Sequence, residues 1–245
     1  MRKPGQGVWN IIRFNWHFYG VATGVGLLLG VLAAYSPAAF RLYTYALLFL
    51  VASPTLVSLL VSYYVYDTSN LYSLGWLNVG DSNDQKTVVN IHAGFDETSE
   101  LLRQHFAEAE LVVLDFYDPT QHTEVSIKRA RAAYPPYPGT KGVQTHALPL
   151  PDASADLVFV LLAAHEIRQP AQRVSFFKEL RRSLRPQGRI IVVEHLRDPA
   201  NFFAYTIGFL HFYSWSTWQG VFRAAGLGVE EEKKITPFLS VFILR

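Results

Sequence analysis

The sequence predicts an α/β domain with a doubly wound, seven-stranded and mostly parallel sheet, preceded by an α-helical hairpin long enough to span a membrane. Three observations predict it. Two stretches near the N-terminus, Phe14 to Phe40 and Leu42 to Tyr66, contain no Asp, Glu, Lys or Arg, with Arg41 between them. From about residue 85, short β-branched runs alternate with helical patterns, which implies parallel strands joined by right-handed crossovers. The last two runs are separated only by Thr236-Pro237, which leaves no room for a helix and requires an antiparallel hairpin.

Each N-terminal stretch exceeds the roughly 20 apolar residues that cross a ~30 Å hydrocarbon core. Spans are expected at about 16–35 and 42–66, inside a segment covering 1–80. A cleaved signal has an apolar region of only about 7–15 residues and no second span behind it. The turn is supplied by Ala33-Ala34-Tyr35-Ser36-Pro37-Ala38, and Pro54 removes a backbone donor within the second span. Gly20, Gly24, Gly26 and Gly30 have the small-xxx-small spacing that lets helices approach closely, within the hairpin or between two copies of the chain. Arg2, Lys3 and Arg13 precede the first span and only Arg41 lies in the turn, so both ends are expected in the cytoplasm and the protein in a bacterial plasma membrane. Trp9, Trp16, Tyr63, Tyr64, Tyr66, Tyr72 and Trp76 form an aromatic belt at the same face. Cysteine is absent, which excludes disulfides, thiolate nucleophiles and Cys-based metal sites, and a net charge of +2 argues against a nucleic-acid partner.

In the 81–245 domain, strands are expected at Thr87–Ile91, Leu111–Leu114, Val143–His146, Leu157–Leu161, Arg189–Glu194, Val229–Ile235 and Phe238–Leu244. Helices are expected at Thr98–Ala107, Thr123–Ala133, Gln169–Leu184, Pro199–Tyr213 and Ser216–Ala225.

Several stretches resemble the class I, type 11-like S-adenosylmethionine-dependent methyltransferases. "LPLPDASADLVFVLLAAHEI" (Leu148–Ile167) resembles that family's approach to its fourth strand. "FFKELRRSLRPQGRIIVVEH" (Phe176–His195) resembles its helix, Pro-Gly turn and fifth strand, and "AGLGVEE" (Ala225–Glu231) its entry to the sixth. The resemblance covers about residues 85–245. It implies a Rossmann-like methyltransferase fold with S-adenosyl-L-methionine as cofactor.

The first loop, "NIHAGFDET", departs from the family's G-x-G-x-G turn. Asn90 stands in the acidic position, His92 and Asp96 replace the outer glycines, and only Gly94 remains. Asp96 or Glu97 can supply a carboxylate to the cofactor's ammonium. Asp115 ends "VVLD", where the resemblance places the ribose carboxylate, whose two acceptors suit a cis-diol. Gln144 or Thr145 stands where relatives contact adenine. Asp118 reads as a turn former.

At the C-terminal strand ends, where ligands bind in doubly wound sheets, lie His165-Glu166 and Glu194-His195-Leu196-Arg197-Asp198. An imidazole of near-neutral pKa can take a proton from a methyl acceptor, so His165, Glu166 and His195 are the catalytic candidates. Arg197, Asn201, Tyr205 and His211 are the candidate substrate contacts, the last three in the uncharged, aromatic stretch Asn201–Trp218. The histidines and Glu166 also suit a divalent metal, but no His-x-x-x-His pair is present and no metal is expected. The expected function is methylation of a hydrophobic, membrane-resident small molecule or lipid. The alternatives are an inactive methyltransferase-like scaffold and a lipid-binding module.

Overall fold

A computed structural model describes residues 3–78 and 86–245. Arg2 and the expected boundary between residues 80 and 81 lie outside the described residues. The chain begins with a short helix, α1 (Gln6–Phe14), which the sequence reading did not anticipate. The hairpin follows as α2 (Trp16–Tyr35) and α3 (Ala38–Tyr63), and α3 closes in a π-helical turn, Tyr64–Thr68. Both are long and apolar enough to cross a membrane, and their apolar side chains point outward rather than into a protein core. Pro54 lies inside α3. Of the four glycines, Gly26 faces Leu48 of α3, while Gly24 and Gly30 border open space.

The sheet is assembled from β1 (Thr87–His92), β2 (Glu110–Asp115), β3 (Lys141–Gly142), β4 (Ala155–Leu161), β5 (Leu184–His195), β6 (Val229–Thr236) and β7 (Leu239–Leu244). Its order is β3-β2-β1-β4-β5-β7-β6. The first five strands are parallel, and β7 runs antiparallel to both β5 and β6, as the Thr236-Pro237 connection demanded. The helices are α4 (Ser99–His105), α5 (Val125–Ala133), α6 (Pro170–Ser183), α7 (Pro199–Tyr205) and α8 (Trp215–Ala224).

Alternation along the strands separates two buried layers. Val158 and Val160 face Phe176, Phe177, Trp218 and Phe222 of α6 and α8. Leu157 and Phe159 face the opposite layer, with Leu102 and Phe106 of the α4 region. Val65, Leu71 and Leu74 belong to that second layer, so the segment following α3 is part of the sheet domain's own core. Packing continuity thus begins at the end of α3, upstream of the expected boundary near residue 80. Gly188 lies within β5, where a Cβ would stand 2.8 Å from the Ala155 carbonyl, so this close approach of the two strands requires a glycine.

Two expected elements are corrected. The third strand is Lys141–Gly142 rather than Val143–His146, because the chain reverses at Gln144–Ala147 once Val143 N–H has bonded to the Asp115 carbonyl. The expected Pro199–Tyr213 helix stops at Tyr205, and residues Thr206–His211 form a 3₁₀ segment. Thr206 takes a positive φ there, and the Arg197 side chain donates to the Leu210 and Phe212 carbonyls, which holds them out of an α-helical ladder.

Candidate functional site

The parallel strands β1, β2, β4 and β5 bring their C-terminal ends to one edge, and the candidate residues divide there into two groups. The first surrounds the β1 loop. Asn90 is buried and donates through Nδ2 to Thr98 Oγ1 (3.0 Å) and Ser99 Oγ (2.8 Å). Asp96 Oδ1 accepts from the Thr98 and Ser99 N–H groups, both at 2.9 Å, and so ties down the start of α4. Gly94 has φ +92, which a residue without Cβ adopts freely, and its N–H donates to His92 Nδ1 (3.2 Å). Burial holds the His92 pKa below its ordinary value against the pull of Asp96 and Asp115, so the neutral ring carries its proton on Nε2.

Three buried polar atoms of this loop have no hydrogen-bond partner among the described residues: Asn90 Oδ1, Asp96 Oδ2 and His92 Nε2. Two are acceptors and one is a donor. Such atoms are costly when left unpaired. Glu97, the alternative carboxylate, is turned away toward Asn10 of α1 (3.3 Å) and Tyr72 (2.9 Å).

Asp115 ends β2 in the expected place. Its Oδ1 accepts from Tyr117 N–H (2.9 Å), and its Oδ2 is paired with Arg131 of α5. The guanidinium also donates to the Gly94 carbonyl and lies over the Tyr117 ring at 4.3 Å. Sequence reading did not single out Arg131, because its α5 position, 16 residues from Asp115, carries no local signal. Gln144 lines an open cleft with Tyr117, Asp118 and Gly142. Thr145 is buried and bonds instead to Gln172 of α6 (2.9 Å). Asp118 accepts from Thr120 and Gln121 in its own turn, and these bonds hold its pKa down at about 2. The helix α1 covers the loop: Phe14 meets Phe95 and Tyr134, and Tyr134 donates to Asn10. Its N-terminus is fixed by Asp67, whose carboxylate accepts from the Gly7 and Val8 N–H groups at 2.7 and 2.8 Å.

The second group lies at the ends of β4 and β5. Leu162 adopts a positive φ directly after β4 and turns the chain so that His165 and Glu166 enter the crevice. His165 Nδ1 is 2.6 Å from Oε2 of the fully buried Glu194. His165 Nε2 is 3.3 Å from Glu166 Oε1, and the same oxygen is 3.3 Å from His211 Nε2. His211 Nδ1 is 3.1 Å from Glu124 Oε1. Burial works against a charged His165, yet Glu194 and Glu166 outweigh it and raise its pKa to about 10. Burial likewise opposes an ionised Glu166, but hydrogen bonds from the two imidazoles hold it well below the usual carboxylate range. His165 is therefore an imidazolium at neutral pH in this arrangement, not a free base. Glu194, Glu124 and Arg168 complete this network; Glu194 stands in the strand-end group that the sequence singles out, whereas Glu124 and Arg168 come from separate segments with no local signal.

The remaining candidates have structural partners. His195 Nε2 accepts from Tyr66 (2.9 Å), and its Nδ1 donates toward Asn201 Oδ1 and the Phe238 carbonyl, both at 3.0 Å. Burial lowers its pKa to about 4, so it is neutral, but neither nitrogen is open to an acceptor's proton. Asn201 is buried and bonds to Asp198 and the Phe238 carbonyl. Tyr205 is turned toward Ser62 of α3, the two buried hydroxyls lying together without a well-formed hydrogen bond. Arg197 clamps the 3₁₀ segment rather than pairing with Asp198, which instead meets Lys234 (3.1 Å). Of the four expected substrate contacts, His211 is the one that joins the His165–Glu166 group.

The strand order, the acidic end of β2 and the polar β1 loop define a doubly wound α/β domain whose polar candidates gather at the strand ends. Residues 90–192 match the family described as "Methyltransferase domain", and the sheet order is that of a Rossmann-like methyltransferase fold. The fold is similar to that of a SAM-dependent methyltransferase from Aquifex aeolicus, at 14% identity and TM-score 0.51, over 78% of this chain and 97% of that one. It is similar to the mitomycin 7-O-methyltransferase MmcR at 15% identity and TM-score 0.56, over 100% and 73%. Human N-acetylserotonin methyltransferase, solved in complex with SAM, gives 14% identity and TM-score 0.52, over 79% and 55%. At these identities the likeness is one of fold. No curated protein sequence matches the chain.

Proposed function

We propose that the protein is a membrane-anchored methyltransferase that uses S-adenosylmethionine to methylate a hydrophobic small molecule or lipid held at the bilayer surface. The observation that carries this reading is the set of unpaired atoms at Asn90, His92 and Asp96, beside Asp115, in a methyltransferase domain. The two acceptors suit an ammonium, and His92 Nε2–H suits a carboxylate or hydroxyl, so these residues fit the amino-acid part of the cofactor. Asp115 suits its ribose once Arg131, whose side chain is partly exposed, has swung aside.

When bound, the cofactor supplies an activated methyl group to an acceptor approaching in line. The chain contributes position and shelter from water. Glu166 is the carboxylate we assign to the acceptor: its Oε1 is shared by the two imidazoles, and a hydroxyl donating to its other oxygen would be oriented toward the strand ends. His165, fixed by Glu194, keeps that carboxylate in place.

Support for a hydrophobic acceptor comes from α7 and the 3₁₀ segment, which expose Phe203 (73%) and Ile207 (80%) next to α3. A soluble donor and a bilayer-confined acceptor would meet at such a surface. We place the sheet domain on the cytoplasmic side of a bacterial plasma membrane, with Lys3 and Arg13 on that side. The open face at Gly24 and Gly30 would admit a second copy of the chain, which cross-linking in vesicles would detect.

The test is calorimetric titration of S-adenosylmethionine and S-adenosylhomocysteine into the detergent-purified protein, followed by radiolabelled methyl transfer to a membrane lipid extract. Saturable binding plus label in the organic phase supports the proposal. The second reading, an inactive scaffold, is favoured by the Arg131–Asp115 pair and predicts no binding of either ligand.

A further inference from the structure

The His165, Glu166 and His211 cluster has a geometry that methyl transfer does not require. One ligand atom from each of His165, Glu166 and His211 lies within 4.8 Å of the other two, and Nε2 of His165 and Nε2 of His211 are each 3.3 Å from Glu166 Oε1. Donors held about 2.0–2.2 Å from one metal ion stand roughly 3.0–3.5 Å from their neighbours, for octahedral through tetrahedral arrangements. The two observed edges fall in that interval.

The outer contacts point the same way. Each imidazole has a carboxylate on its far nitrogen: Glu194 Oε2 at 2.6 Å from His165 Nδ1, and Glu124 Oε1 at 3.1 Å from His211 Nδ1. A carboxylate on the far nitrogen keeps the proton on Nδ1, so that an incoming cation has only the Nε2 proton to displace, and this is the usual outer shell of a metal-bound histidine. The residues come from four segments, the β4 end, the β5 end, the 3₁₀ segment and the approach to α5. The two imidazoles therefore converge on one oxygen through the tertiary fold and not through a helical repeat. Charge agrees as well: Glu124, Glu166 and Glu194 gather here, and the one cation from the chain that meets them among the described residues outside the histidines is Arg168.

We propose that His165, Glu166 and His211 form a binding site for a divalent cation of the class that imidazole and carboxylate ligands select, such as Zn²⁺, Mn²⁺ or Fe²⁺. Arg168 is the competing cation. Its Nη2 lies 3.2 Å from Glu124 and 2.5 and 2.6 Å from Nδ1 and Nε2 of His211, so it occupies the ligand nitrogen's side and must move before an ion enters; its side chain is 40% exposed and can withdraw into solvent. Three protein donors leave at least one position for water or an oxygen ligand. The site does not depend on the methyltransferase reading, because cation binding is measured without cofactor.

The experiment titrates chelator-treated, full-length protein in detergent with CoCl₂ and then ZnCl₂. Calorimetry reads stoichiometry and the visible Co²⁺ spectrum reads coordination. The expected result is one equivalent per chain, with a Co²⁺ spectrum of low coordination number that Zn²⁺ displaces. His211→Ala is expected to weaken binding at least 10-fold and to fold normally, since His211 lies at the partly exposed rim. Glu124→Gln, which touches only the far nitrogen, is expected to cost about 10-fold, and Arg168→Ala to tighten binding. His146→Ala, a histidine outside the cluster, is expected to change nothing. Absence of saturable binding to wild-type protein would overturn the proposal, as would binding that survives His211→Ala unchanged.

Discussion

The β1–β2 end and the β4–β5 end of the sheet hold comparable numbers of polar side chains but treat them in opposite ways. At β1, Asn90, His92 and Asp96 keep one unpaired atom each, while Asp115 is closed off by a partly exposed arginine. At β4 and β5, Glu124, Glu166, Glu194, His165 and His211 are bonded to one another. Unpaired buried groups represent stability withheld until a ligand arrives, whereas a saturated network holds its shape before one does. The first region thus keeps unmet hydrogen-bonding capacity, and the second has spent most of its own internally.

The largest expected effect bears on the first region. Asp115→Ala should weaken S-adenosylhomocysteine binding by at least about 100-fold, the loss expected for two hydrogen bonds to a charged acceptor at roughly 1.5 kcal/mol or more each. Calorimetry checks this, and an unchanged affinity would mean that the ligand does not use the β2 carboxylate.

Next comes a pH effect in the second region. His195 is fully enclosed, and its pKa falls from an ordinary 6.5 to about 4 on folding. A depressed folded pKa means that the unfolded chain binds the proton first. The stability is complete above about pH 6.5 and is lost as the pH falls through that value toward 4. The amount is about 3 kcal/mol for the fall from 6.5 to about 4. Thermal unfolding in detergent at pH 7.5 and 4.5 should show the drop, and His195→Asn should flatten it. Equal slopes in both proteins would remove His195 from the account.

Smaller still is the effect of Arg131→Met. Freeing Asp115 from a partly exposed ion pair should tighten cofactor binding roughly fivefold, about 1 kcal/mol. Weaker binding in the variant would make Arg131 a ligand of the cofactor and sharpen the contrast in the other direction. The smallest effect is expected from Phe203→Ser with Ile207→Ser. KM for a vesicle-borne acceptor should rise severalfold while cofactor affinity stays constant, and a parallel loss of cofactor affinity would show that this surface does more than meet the bilayer.

Much of the fold was legible in the sequence. Strands β1, β2, β4 and the β6–β7 hairpin follow from runs such as Leu157–Leu161 and from the two-residue Thr236-Pro237 link, both local patterns. The third strand was misplaced because two residues suffice when only the edge partner β2 must be matched. Helix α1 was overlooked because its amphipathic face is completed by Asp67, Phe95 and Tyr134, all distant in the chain.

By itself, the sequence determined the alternation of strands and helices, the two apolar spans, the carboxylate at the end of β2 and the concentration of histidines at the strand ends. Each is a property of residues near one another in the chain, set by backbone periodicity and turn chemistry. Only the tertiary structure decided what those side chains do. It set Arg131 on Asp115, enclosed His195 between Tyr66 and Asn201, and turned Arg197 onto carbonyls. It also joined His165 to Glu194 across 29 residues and His211 to Glu166 across 45. Partners at such separations meet through sheet register and crossover geometry, and the local pattern around either residue carries no trace of the other.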